Sequence, residues 1–309
     1  MSANIREKAI RRVTLAGSAI NVGLVAFKFV SGIVGGSAAM VADAVHSLSD
    51  LLTDVVVLVF VHISEKPEDA DHDYGHGKYE TMASAIIGMA LLLVGAAICY
   101  DGVARIASAM GGHALPRPGA IALVAALLSI ALKEWAYRFT ARVGRRLDSP
   151  AVVANAWHHR SDALSSVGTA IGIGGAMALG SQWTVLDPIA AVIVSLLIIM
   201  QAVKQIRQSS DELLEKSLPD DVERRIKDIV LEEEGASDIH HLCTRRIGSA
   251  VAMEMHVRMP GGMTLAESHE RATAIERRLR AEFGQHTHIS LHVEPLKPDK
   301  GQAGTGQGR

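Results

Sequence analysis

Apolar positions along this chain fall into two regimes. Up to residue 208 they form six long stretches, at residues 13–34, 38–63, 81–106, 119–143, 151–179 and 185–206. Each exceeds the roughly 20 residues that a helix needs to cross the hydrocarbon of a bilayer. Beyond residue 208 the runs shorten and change period. A helix is expected over 220–234, opened by Pro219. Val251, Met253, Met255, Val257 and Met259 then alternate with Ala252, Glu254, His256 and Arg258, the period-2 pattern of a half-buried strand. Leu265, Ala272, Ile275, Leu279 and Phe283 mark an amphipathic helix over 264–283, and Ile289, Leu291 and Val293 a last strand. The order is helix, strand, strand, helix, strand: an α+β domain small enough to be marginal alone, so docking or dimerisation is expected. The fold class that follows is an α-helical membrane protein with a six-helix bundle and a C-terminal α+β domain. Its segments are an N-terminal piece over 1–12, the helical domain over 13–208, the small domain over 209–298 and a Gly/Gln-rich, disordered tail over 299–309.

Charge sets the orientation. Arg6, Lys8, Arg11 and Arg12 precede the first stretch; Arg138, Arg142, Arg145 and Arg146 end the fourth; Lys204, Arg207 and Lys216 end the sixth. The connections on the other side carry only Arg117, which predicts both termini in the cytoplasm of a multi-pass bacterial inner-membrane protein. The N-terminus lacks a short apolar core with a small-residue cleavage site, so it reads as a cytoplasmic lead-in. Composition agrees: 49% of the 309 residues are hydrophobic and the mean hydropathy is +0.22, too apolar for a soluble chain of this length. The formal net charge of −2 shows no nucleic-acid footprint. Two cysteines, Cys99 and Cys243, form no CxxC pair, which excludes a disulfide framework and a thiolate metal site.

Against that background the ionisable residues inside the apolar stretches stand out. Asp43, His46, Asp50 and Asp54 fall at about 0°, 300°, 340° and 20° on a helical wheel, one narrow face of the second helix. A charge at mid-bilayer costs roughly 2.5–3.5 kcal/mol on insertion scales, so the stripe must face protein, water or a cation. Asn155, His158 and Asp162 share a face of the fifth helix, within NAWHHRSD. Each helix thus presents His-x-x-x-Asp, two ligands one turn apart. Two imidazoles and two carboxylates form a set suited to tetrahedral Zn(II). Taken singly, Asp43 or Asp54 reads equally well as a helix–helix hydrogen-bonding residue. His159 points away from His158 and reads as packing, and Lys133 and Glu134 as snorkelling or paired groups. Asp187-Pro188 reads as an N-cap followed by Pro at the first helical position, and glycines 32, 36, 168 and 172 as close-packing positions.

Residues 66–78, KPEDADHDYGHGK, gather Glu68, Asp69, Asp71, His72, Asp73 and His76. That is a second metal site or an electrostatic funnel, against the plainer reading of a solvated acidic loop. In the small domain His240, His241, His256, His269 and His292, with Glu294, suggest metal binding, although each alone reads as well as a surface histidine.

The H-S-L-S-D and H-H-R-S-D pairs, the D-x-x-H-x-x-x-H-G-K loop and the S-L-P-D opening of the small domain together resemble the cation diffusion facilitator family, over about residues 10 to 296. The resemblance implies a transport site of His46, Asp50, His158 and Asp162 and a loop site of Asp69, His72 and His76. It also implies a metal site in a cytosolic, metallochaperone-like domain, from His240, His256, His269 and His292, with Glu294 where many relatives have Asp. Lys78 matches a basic residue that in relatives pairs with an acid at the base of the sixth helix, here Glu215. A homodimer, alternating access and proton antiport are implied as well. The expected function is efflux of a divalent cation, Zn(II) first, with Cd(II), Co(II), Fe(II) or Mn(II) as alternatives. Zn(II) is expected also as a structural or regulatory ion in the cytosolic domain; the partners are metal ions, protons and the lipid bilayer. A non-transporting metal sensor or assembly partner needs no intact intramembrane ligand set. A metalloenzyme would want a general base and an open coordination position, and no HExxH occurs.

Overall fold

A computed structural model describes residues 3–64, 66, 68–146, 150–248 and 250–296. Its elements are α1 (Ala3–Val34), α2 (Ala38–Ser64), α3 (Lys78–Met110), α4 (Ala120–Arg146), α5 (Pro150–Ala178), α6 (Leu186–Leu213), α7 (Asp220–Leu231), β1 (Ser237–Ile247), β2 (Ala250–Met259), α8 (Leu265–Phe283) and β3 (His288–Pro295). They divide into two compact units: Met1–Leu58 with Ser84–Ile206, and Val59–Ala83 with Arg207–Arg309.

The first unit is helical. Among the described residues, Lys78–Met110, Ala120–Val143 and Ser181–Leu213 are long and apolar enough to cross a membrane, and Ala19–Val34 is a shorter apolar helix. Its core is built largely of small side chains, among them Ala39, Ala42, Ala122, Ala125 and Ala191, around Met40 and Ile198. Small residues let helix backbones approach closely where lipid supplies no hydrophobic drive to associate. Large apolar side chains such as Ile86, Leu93, Leu164 and Ile171 point outwards and are mostly exposed, as lipid-facing positions should be. α1 begins at Ala3, not at residue 13, and α6 runs on to Leu213, because polar flanks continue a helix as readily as apolar ones.

Two expectations change in detail. The glycine pairs do not act as pairs. Gly32 packs against Val41, and Gly172 against α6 at Leu186 and Ala190, where a Cβ would collide. Gly36 instead makes the α1–α2 turn at φ +60°, and Gly168 meets nothing within 4 Å among the described residues. Asp187 is structural, but it caps a different helix from its own: its carboxylate accepts the Ser37 hydroxyl at 2.5 Å and the Ala38 N–H at 2.8 Å, at the start of α2.

The second unit carries a three-stranded sheet in the order β1-β2-β3, antiparallel between β1 and β2 and parallel between β2 and β3. Val251, Met253, Met255, Val257 and Met259 point to one face of β2. There they pack with Ile226, Ile229 and Val230 of α7 and Ile275 and Leu279 of α8. α8 opens with a capping box: Thr264 Oγ1 accepts the Glu267 N–H, and Glu267 accepts the Thr264 N–H at 2.8 Å. The other face of β2 carries Glu254, His256 and Arg258.

Candidate metal centres

In the helical unit, α2 presents His46 and Asp50 one turn apart, and α5 brings Asp162 to them. One ligand atom from each lies within 4.8 Å of the others, with the histidine and Asp50 half-buried and Asp162 buried. Ligands about 2.0–2.2 Å from a common ion sit about 3.5 Å apart in a tetrahedron, so modest side-chain rotation closes this set. His46 Nδ1 is buried without a hydrogen-bond partner among the described residues. His158 lies one turn before Asp162 on α5, but its side chain is outside the described residues, as are those of Asp54, Asn155 and His159.

Two lysines reach this region: Lys28, which the sequence reading passed over, and Lys133, of whose two readings the structure favours pairing over snorkelling. Lys28, in the last third of α1, is fully buried and pairs with Asp43 at 2.6 Å. Its ammonium also donates to Ser47 and Ser166, both at 3.0 Å, and Ser166 donates to Asp43 at 3.0 Å. Asp43 is therefore a helix–helix bonding residue and stands outside the metal-ligand cluster. Lys133 of α4 pairs with Asp162 at 3.2 Å, both side chains being buried. The sequence signal for both lysines was the same as for the acids: a charge inside an apolar span demands a partner.

In the second unit, the segment before α3 folds on Asp69. Its carboxylate accepts the N–H groups of Asp71 at 3.0 Å and His72 at 2.9 Å, and meets His72 Nδ1 at 3.1 Å and His76 Nε2 at 3.3 Å. The His72 contact first, and these N–H groups next, hold the Asp69 carboxyl below its usual range. The two imidazoles lie 4.3 Å apart, and Tyr79 Oη is 3.3 Å from His72 Nε2. His76 is buried, and its Nδ1 has no partner among the described residues. Asp69, His72 and His76 thus form one compact group; Glu68, Asp71 and Asp73 are not part of it. Next to it Lys78 is ion-paired with Glu215, which also takes Arg245 at 2.9 Å while standing at φ 61°.

A third group lies across the sheet. The register sets His240 opposite His256 and His256 opposite His292, with Glu294 two residues beyond on β3. Glu294 meets His256 Nδ1 at 3.0 Å and His240 Nε2 at 3.2 Å, while His292 Nε2 is 4.0 Å away. Burial works to raise the Glu294 carboxyl, but the His256 hydrogen bond and the charges of His240, His256 and Arg258 outweigh it and hold it below its usual value. The tightest set is His240, His256 and Glu294, with His292 4.6 Å from His256 by ring centroids. His269 is exposed on α8 and stands outside that set. His241, at φ 48° in the irregular part of β1, brings its ring 5.0 Å from His256 instead.

Comparison with known proteins adds the following. Residues 14–214 match the family model of the cation efflux transmembrane domain, and residues 218–296 that of the cation efflux protein cytoplasmic domain. Metal tolerance protein C1 of Arabidopsis thaliana is 32% identical over 290 residues, covering 90% of this chain; the chain spans 61% of that protein's length. Manganese efflux system protein MneP of Bacillus subtilis (strain 168) is 32% identical over 297 residues, covering 95% of this chain and 98% of its own. Magnetosome protein MamB of Magnetospira sp. (strain QH-2) is 31% identical over 278 residues, covering 90% and 92%.

Proposed function

The chain belongs to the cation diffusion facilitator family and is a divalent metal cation efflux transporter; from that premise we propose that its cargo is Zn(II), carried out of the cytoplasm in exchange for protons. The observation that carries this reading is the convergence of His46, Asp50 and Asp162 from two helices of the membrane unit; the fourth ligand of the proposed site is His158, assigned from the sequence and the family resemblance alone. Two imidazoles beside two carboxylates favour a borderline ion such as Zn(II) over the harder Mn(II). Metal binding needs neutral imidazoles and ionised carboxylates, so protons compete for the same atoms. Histidine is the side chain best suited to such competition under physiological conditions. Proton return through the emptied ligand set completes the exchange.

The sheet group of His240, His256 and Glu294 binds a further Zn(II) as a structural or regulatory ion. The domain over 209–298 lies in the cytoplasm and pairs with its copy in a homodimer. The similarity to MneP, named for manganese efflux, favours Mn(II) as a second reading. Purified protein in liposomes containing a pH-sensitive dye separates the two. Zn(II) entry at a higher rate than Mn(II), with a matching proton signal, supports the proposal. Mn(II) in preference supports the second reading, and metal flux without a proton signal rules out antiport.

A further inference from the structure

Two buried ion pairs among the described residues of the membrane unit, Lys28–Asp43 and Lys133–Asp162, are built differently. Lys28 is fixed by three groups, Asp43, Ser47 and Ser166, on two other helices. Lys133 has Asp162 as its one partner among the described residues, at 3.2 Å, and both are buried. Asp43 stands outside the metal-ligand group, whereas Asp162 is a member of it. The Lys28 pair thus joins helices, and the Lys133 pair meets the cargo's ligands. Ser129, one turn earlier on the same face of α4, offers a hydroxyl on Lys133's own helix.

Resting on the assignment of Asp162 to the transport site, we propose that Lys133 is a built-in counter-ion that holds Asp162 in the empty carrier and must be displaced by the incoming metal. A metal bonded to Asp162 at about 2 Å would lie within a few ångströms of the Lys133 ammonium, in surroundings where like charges repel strongly. Two consequences follow. Lys133 lowers the affinity for every cation and so speeds release on the far side. It also discriminates by charge: a monovalent ion gains too little from Asp162 to expel an ammonium, whereas a divalent ion forming short bonds to several ligands can.

The test is metal flux into proteoliposomes by wild type, Lys133→Gln, Lys133→Arg and Asp50→Ala, with KM and kcat measured separately for Zn(II) and Mn(II). Removing the charge in Lys133→Gln should lower KM by about tenfold or more for both ions and lower kcat with it, since tighter binding slows release. Lys133→Arg keeps the charge, and a guanidinium grips a carboxylate bidentately, so it is harder to expel and KM should rise. Opposite movements of KM are not expected of a residue that merely holds the fold. Lys133→Arg preserves the buried pair and keeps the test decisive if Lys133→Gln does not fold. Unchanged KM in Lys133→Arg, or unchanged or raised KM in a folded Lys133→Gln, overturns the proposal. Asp50→Ala tells the two readings apart. If it transports normally, the site assignment has failed; if it is inactive while both Lys133 variants keep the wild-type KM, only the counter-ion role has.

Discussion

Lys28 and Asp43 are the most deeply enclosed charges among the described residues of the membrane unit, and Lys28→Met tests what they do. The lysine and its partner have no solvent-exposed side-chain surface and sit 2.6 Å apart. Methionine is close to lysine in length and fills much of the same space, so the change removes charge more than volume. It leaves the Asp43 carboxylate buried, with Ser166 still donating to it but no cation beside it. Breaking a buried pair from one side costs about 3–5 kcal/mol, because the remaining charge is uncompensated. At roughly 2–4 °C per kcal/mol for a unit of this size, the melting temperature in detergent should fall by about 10 °C. The double variant Lys28→Met/Asp43→Asn removes both charges and keeps an acceptor for Ser166. Part of the loss should return, so that the double variant melts above the single one, because no uncompensated charge is left buried. Thermal unfolding followed by the monodisperse fraction on size-exclusion chromatography reads both numbers. A single variant that melts within about 2 °C of wild type, or a double variant no better than the single, would refute the claim that the pair is mutually dependent.

Three further outcomes are expected. His46→Asp replaces an imidazole by a harder carboxylate at the same place, so the Mn(II)-to-Zn(II) transport ratio should rise, and the pH profile should shift towards acid; an unchanged ratio and profile would exclude His46 as a ligand. His256→Ala takes away the residue at the centre of the histidine row, and Zn(II) should then protect the amides of residues 250–259 from hydrogen exchange much less than in wild type. Glu267, whose carboxyl is held below its ordinary value of 4.5 by the backbone N–H and then the hydroxyl of Thr264, contributes to α8 fully above its unfolded pKa. That contribution is lost as pH falls through the lowered folded value. Exchange protection of residues 265–283 should therefore drop in acid, and less steeply in Glu267→Gln, which keeps the cap without the titration.

Sequence pattern revealed whatever depends on local order. The hydrophobic runs made the helices legible because length and polarity are properties of a segment, and the Val251–Met259 alternation revealed β2 for the same reason. His46 and Asp50 could be placed together because one helical turn fixes their relation. Long-range partners were not legible. Lys28 drew no reading from its own segment, since its partners Asp43, Ser47 and Ser166 are on other helices. Lys133 and Asp162 were each noticed, but nothing local couples α4 to α5. Asp187 was assigned to its own helix because capping is usually local, whereas its target lies 149 positions away in the chain. His269 and His241 show the same limit inside the small domain. Helical periodicity could not tell whether α8 turns His269 towards the row, and the irregular register of β1, which brings His241 near His256, leaves no mark in residue order.

The central claim is that metal crosses the membrane through ligands supplied by α2 and α5. The most direct measurement is Zn(II) uptake into sealed vesicles by wild type, Asp50→Ala and Asp162→Ala at equal amounts of folded, inserted protein. Uptake should fall to the level of empty vesicles in both variants, with the metal-dependent proton signal lost at the same time. Near-normal uptake by well-folded Asp162→Ala protein would contradict the account, because the cargo would then be crossing without the carboxylate that α5 supplies.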